Sequence, residues 1–228
     1  MTGKWFDKLL ILILENHGWS QVQDCQFVKW FRENGCVFSN WHGVAHPSGP
    51  GYRCLFSGQT WSGNEFDGVW RPSILDTVQN VTQPFAGMPA DRHNPAKDMR
   101  AKAAVDWVPG APLADIHYLG MDDQNDAHSG PLSQADANVM RALTSFDVPR
   151  GPRTLTVVTF DEAFGLEYGT NHVFMGMAGG MVSRGKEVGQ QFTHADFAIG
   201  LYANWGVEYH NSDGSRGPQP TFDKPWWE

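Results

Sequence analysis

The chain has no apolar run long enough to cross a membrane. Its most continuous run, Leu9 to Leu14, falls far short of the roughly 18 residues a transmembrane helix needs. It is also too short for the core of a signal peptide, and no small-residue cleavage site follows it. A cytoplasmic location is therefore the default expectation. Basic clusters are absent as well. Net charge is −8, with 17 Lys and Arg against 25 Asp and Glu, which disfavours a nucleic-acid groove. Cysteine is scarce: Cys25, Cys36 and Cys54 stand alone, with no CxxC or zinc-finger spacing. Buried free thiols are expected, and one disulfide with one free thiol stays open. There is no internal repeat and no low-complexity linker. One α/β domain over residues 1–228 is the simplest organisation, and a chain this long needs neither disulfide nor metal to build a core.

What is present reads as alternating strands and helices. Leu9 to Leu14 is apolar throughout, as in a central parallel strand covered on both faces. Ser20 with Gln23 has the spacing of a capping box, opening a helix through Val22, Phe27, Val28 and Phe31 that Gly35 ends. Cys36 to Trp41 reads as a strand, and a short helix begins around Ser48 and stops by Gly58. Another helix follows Pro72 through Ile74, Leu75 and Val78. Residues 82–110 form an irregular excursion over the site. Ile116 to Leu119, Thr154 to Phe160 and Val173 to Ala178 are strands. Ser133 caps a helix carrying Val139, Met140 and Leu143. Thr193 with Asp196 caps a helix through Phe197, Leu201 and Tyr202, closed by Gly206. Residues 211–228 form an extended tail packed by Trp226 and Trp227. This order predicts a three-layer α/β/α sandwich with a mainly parallel central sheet.

Two of the strongest strands switch abruptly from apolar residues to oxygen donors. One runs into Glu15 and Asn16, the other into Asp161 and Glu162. In a parallel sheet both ends lie on the same edge, where functional groups gather. Three carboxylates and an amide oxygen placed together repel one another unless a cation sits among them; the plain alternative is that they cap the following helices. Ser48, after Pro47 and at the start of a short helix, stands where backbone N–H groups favour an anion. An ordinary helix cap is again the alternative. Asp126 and His128, two apart on a loop, can reach one ligand or metal. His93, His172 and His194 are isolated histidines that could bind an anion or a second metal.

In order along the chain come the Leu-rich strand with Glu15-Asn16; His46-Pro47-Ser48-Gly49-Pro50-Gly51-Tyr52 with Ser57-Gly58-Gln59; Arg92-His93-Asn94-Pro95; Asn125-Asp126-Ala127-His128; Thr159-Phe160-Asp161-Glu162; Asn171-His172-Val173; and Phe192-Thr193-His194. This series resembles the phosphoesterase family of acid phosphatases and non-haemolytic phospholipases C, part of the alkaline phosphatase superfamily. The resemblance implies an alkaline-phosphatase-like fold, a divalent metal ion (calcium, magnesium, manganese or zinc) and a phosphorylated small-molecule substrate. It implies Ser48 as a nucleophile that forms a phosphoserine. Glu15, Asn16, Asp161 and Glu162 match its metal-holding positions, and His93 and His128 match histidines near bound phosphate. Asp126 with His128 matches second-metal ligands of related phosphodiesterases, and His172 and His194 are further candidates for phosphate or a second metal. Members of the family are often secreted.

The chain departs from the pattern at Gly51, where the family usually has Asn, and matches it poorly from Thr60 to Gly87. Phosphodiesterase or phospholipase C activity with the same residues is one alternative. A catalytically silent binding protein on the same fold is another. A sulfatase fits less well, because Tyr52 stands where that group needs Arg.

Overall fold

In the computed structural model, residues 1–60, 72–77, 81–82, 115–149, 151–211, 213–217 and 224–228 are described. Strand β1 is Lys8–Leu14, and its side chains from Leu9 to Leu14 are buried. A strand apolar on both faces must lie inside a sheet with layers above and below. Accordingly β1 pairs in parallel with β4 (Ile116–Gly120) on one side and β5 (Thr154–Phe160) on the other. Beyond β4 lies β3 (Val81–Thr82), also parallel. Beyond β5 come β6 (His172–Ala178) and β2 (Cys36–His42), with β7 (Lys186–Val188) and β8 (Phe192–Thr193) both pairing β2.

Strand β6 runs antiparallel to both β5 and β2. Two reversals restore direction, so β2 runs the same way as β1, β4 and β5. Their carboxyl ends therefore share one edge of the sheet. The loops after all four strands converge there.

The helices are α1 (Trp19–Val22), α2 (Gln26–Asn34), α3 (Ser48–Ser57), α4 (Leu132–Ser145) and α5 (His194–Trp205). Helix α2 packs against α4, and α3 against α5, completing a layered α/β/α arrangement. An aromatic cluster joins α2 to the sheet: Phe27 meets Phe174 edge-on at 5.2 Å and lies near Phe160. No helix among the described residues is long and apolar enough to cross a membrane.

Three local expectations change. The helix expected from Ser20 to Gly35 is two helices, because Gly18, not Ser20, begins the first, with Gln21 Oε1 accepting from its N–H at 2.8 Å. The second is capped from afar: both carboxylate oxygens of Asp136, on α4, accept from the N–H groups of Gln26 and Phe27. Helix α4 starts at Leu132 behind Pro131, so Ser133 lies inside it. The helix expected after Pro72 is a 3-10 turn, Ile74–Asp76, and Val78 lies outside the described residues. Thr193 and Asp196 do form the reciprocal cap of α5, and Gly206 ends that helix with φ 66°. All three cysteines are buried free thiols. Trp226 and Trp227 are buried, with Trp226 stacked on Phe197 at 5.2 Å.

Candidate active site

The parallel register places Leu14 beside Phe160, so Glu15 and Asp161 leave adjacent strands side by side. A sharp turn follows β1. Asn16 takes φ 61°, a left-handed conformation Asn tolerates better than most residues. Its backbone N–H donates to Asp161 Oδ1 at 3.3 Å.

Ser48 enters from the loop after β2. The residue preceding α3 is Pro47, and no side chain caps this helix. The Ser48 hydroxyl points instead at two carboxylates, Glu162 Oε1 at 2.9 Å and Glu15 Oε2 at 3.3 Å. A hydroxyl has one proton to donate, so it can satisfy only one of them at a time. Glu15, Ser48, Asp161 and Glu162 are all buried.

Crowding acidic groups in a dry pocket has an electrostatic cost. Burial, and then the charge of Glu162, push the Asp161 carboxyl well above the usual carboxylate range. Its Oδ2 is a buried oxygen with no hydrogen-bond partner among the described residues. Such an atom calls for a proton or a cation. Among the described residues, no three acidic, imidazole or thiol groups converge as a finished metal cage, since Glu15 and Glu162 both turn toward Ser48. The donor set itself, buried carboxylate oxygens of Glu15, Asp161 and Glu162, suits a hard divalent cation.

The Asp126–His128 turn packs against the same group. Asp126 O accepts from Glu15 N at 2.9 Å, and Asp126 Oδ1 accepts from His128 N at 2.9 Å. Ala127 between them takes φ 80°, a strained value for alanine. The turn brings His128 Nε2 to 3.6 Å from Glu15 Oε2.

The other histidines sit differently. His194 is fully buried behind Asp161, where its Nε2–H donates to the Asp161 carbonyl at 2.9 Å and its Nδ1 accepts from Trp41 Nε1 at 3.1 Å. Both ring nitrogens are thus engaged, and burial pushes its pKa down to about 4. His172 stacks on His42 at 5.0 Å, with Nε2 at 3.0 Å from Ser39 O and Nδ1 at 3.5 Å from Glu167 Oε1. Burial, and then His42, lower its pKa. His93 lies outside the described residues.

His46 has no role in the sequence-based expectations. Its Nδ1 bonds Glu162 Oε2, its Nε2–H donates to Tyr168 O at 2.9 Å, and its ring stacks on Tyr168 at 3.8 Å. Its place directly before Pro47-Ser48 is the one signal that marks it. Asn171 braces the same loops. Its Oδ1 accepts from Ala163 N at 2.7 Å and its Nδ2 donates to Ala45 O at 3.3 Å. Asn171→Ala leaves both groups short of a partner in a buried place and puts alanine at φ 50°. It is expected to lower stability by about 1–3 kcal/mol in a denaturant titration, with loss of activity from misplacing His46 and Glu162.

The layered fold around a mostly parallel sheet is that of solved structures from the alkaline phosphatase superfamily. A protein of that superfamily from Vibrio parahaemolyticus superposes with a TM-score of 0.65 at 12% identity, covering 89% of this chain and 67% of its own. In sequence, the chain is 22% identical to the phosphate-repressible acid phosphatase of Penicillium chrysogenum over 91% of its length. It is also 22% identical to the phosphatidylinositol-3-phosphatase of Mycobacterium tuberculosis over 69%. It spans 61% and 64% of the lengths of these two relatives. No family profile matches the chain.

Proposed function

We propose that the chain hydrolyses phosphate monoesters through a phosphoserine on Ser48. The observation that carries this is the buried Ser48 hydroxyl held by Glu162 and Glu15 at the start of α3. The phosphatase names of both sequence relatives support the substrate class.

Glu162 Oε1, at 2.9 Å, accepts the proton of Ser48 as the oxygen attacks phosphorus in line. The bond from phosphorus to the ester oxygen breaks, and the alcohol leaves with a proton from solvent. His128, beside Glu15, faces the developing charge on the phosphoryl oxygens, the role that the family resemblance also gives to His93. Water then cleaves the phosphoserine, releasing inorganic phosphate and restoring the hydroxyl. His46 holds Glu162 through its second oxygen. Glu15, Asp161, Glu162 and the Asn16 side chain would hold a divalent cation, whose positive charge would favour the ionised serine.

Hydrolysis of phenyl phosphate tests this. Dialysis against a chelator, with metal loss verified by elemental analysis, is expected to lower the rate by about a hundredfold or more. Adding back one of calcium, magnesium, manganese or zinc restores it. A metal-free protein that keeps its full rate would refute the metal dependence.

A further inference from the structure

Beside Ser48 lies an open cavity of about 370 Å³ lined by His46, Pro47, Glu162, Phe164 and Tyr168. Its inner wall is the carboxylate that accepts from the serine hydroxyl. Its outer wall is apolar and exposed: Phe164 is 61% exposed and Tyr168 49%. Soluble surfaces scatter such residues singly, whereas a cluster at a cleft marks a contact site. Among the described residues, the large exposed apolar side chains are these two, Leu166 on the same loop, and Met1.

The loop that carries them is tied down. It makes a 3-10 turn, Gly165–Glu167, whose Glu167 Oε2 accepts from Ser20 N at 2.9 Å and Ser20 Oγ at 2.8 Å. The Glu167 carbonyl accepts from Asn171 N at 2.7 Å. Tyr168 is held by its stack on His46, and Phe164 meets it edge-on at 6.4 Å. The aromatic wall is thus placed before a ligand arrives, which lowers the ordering cost of binding.

We propose that this cavity is a subsite for the organic group of the substrate, and that it selects a flat apolar group such as an aryl ring. The inference deepens the phosphoesterase assignment above and rests on it for the position of the phosphate. With phosphorus in line with Ser48, the ester group lies in the cavity over Pro47 and against the exposed side of Phe164, whose ring meets Tyr168 edge-on. A polar ester group such as glycerol finds there few partners beyond Glu162 and His46, which already bond one another.

Phosphonates separate binding from leaving-group chemistry. Calorimetry of the metal-loaded protein is expected to show phenylphosphonate binding about tenfold more tightly than methylphosphonate. Phe164→Ala removes most of that ratio and leaves methylphosphonate unchanged, while Leu166→Ala, which alters no lining residue, preserves it. Phe164 is exposed, so folding is not at stake. Equal affinity for the two phosphonates, or a ratio that survives Phe164→Ala, overturns the subsite. If phenyl phosphate is still hydrolysed in that case, the phosphoesterase assignment stands without it. A Phe164-dependent preference in a protein that turns over no phosphate ester keeps the subsite and sinks the assignment. If Leu166→Ser lowers turnover of a phosphorylated lipid in vesicles while Phe164→Ala leaves phenylphosphonate binding intact, the loop serves a lipid surface and the subsite falls.

Discussion

Ser48→Ala is expected to lower phenyl phosphate turnover by at least about a thousandfold while leaving the protein folded. The two roles open to this serine differ in what its removal does. A helix cap contributes about 0.5–2 kcal/mol of stability and nothing to chemistry. A nucleophile contributes almost all of the chemistry. The structure puts the hydroxyl 2.9 Å from Glu162 and 3.3 Å from Glu15, with Pro47 ahead of it and no side chain capping α3. Removing the hydroxyl takes away the one proton the two buried carboxylates share, a loss expected to be about 1–3 kcal/mol, too small to unfold the protein. A variant that loses stability and keeps its rate in steady-state assays would return Ser48 to a structural role.

The second large effect is at Gly51, where the resembling family usually has Asn. Gly51→Asn is expected to damage the protein, not improve it. A Cβ at this position would lie 2.6 Å from the Asp161 carbonyl oxygen, closer than real Cβ atoms come to backbone. That same oxygen accepts the His194 Nε2–H at 2.9 Å, so it is held and cannot simply give way. Helix α3 would have to move outward, carrying Ser48 with it, or Asp161 would have to leave its place beside Glu15. Leaving glycine in a helix gives up about 1 kcal/mol of propensity, but the overlap costs more. The net loss is expected to be about 2–3 kcal/mol, or a melting temperature lower by roughly 5–10 °C, with activity falling as well. A melting temperature that holds or rises on calorimetry would show that the close approach of α3 to β5 is not needed.

The strands were legible where burial on both faces left an unbroken apolar run, as in Leu9 to Leu14, or a run rich in Thr and Val, as in Thr154 to Phe160. The meeting of Glu15 with Asp161 was legible for the same reason, since a parallel register carries neighbouring strand ends to one edge. Short edge pieces were not. Lys186–Val188 pairs β2 while its side chains stay partly or wholly exposed, so its sequence has no apolar signature. The start of α2 was hidden because its cap, Asp136, is distant in sequence. The histidines divide the same way. His128 lies beside Glu15 through a local turn that its own Asp126 builds. His194 instead holds the Asp161 backbone because Trp41, on a different strand, occupies its other nitrogen, a relation no spacing within one segment reveals. His46 was marked only by its place before Pro47-Ser48, and its bond to Glu162 needs the loops after β2 and β5 to meet.

The central claim, that phosphorus passes through Ser48, is tested most directly by trapping. The metal-loaded protein is mixed with phenyl phosphate, quenched in acid during turnover, digested and analysed by mass spectrometry. The expected result is one added phosphoryl group on the peptide containing His46-Pro47-Ser48, localised to the serine and absent from Ser48→Ala. Steady hydrolysis with no phosphorylated peptide, or with the phosphoryl group on another residue, would contradict it.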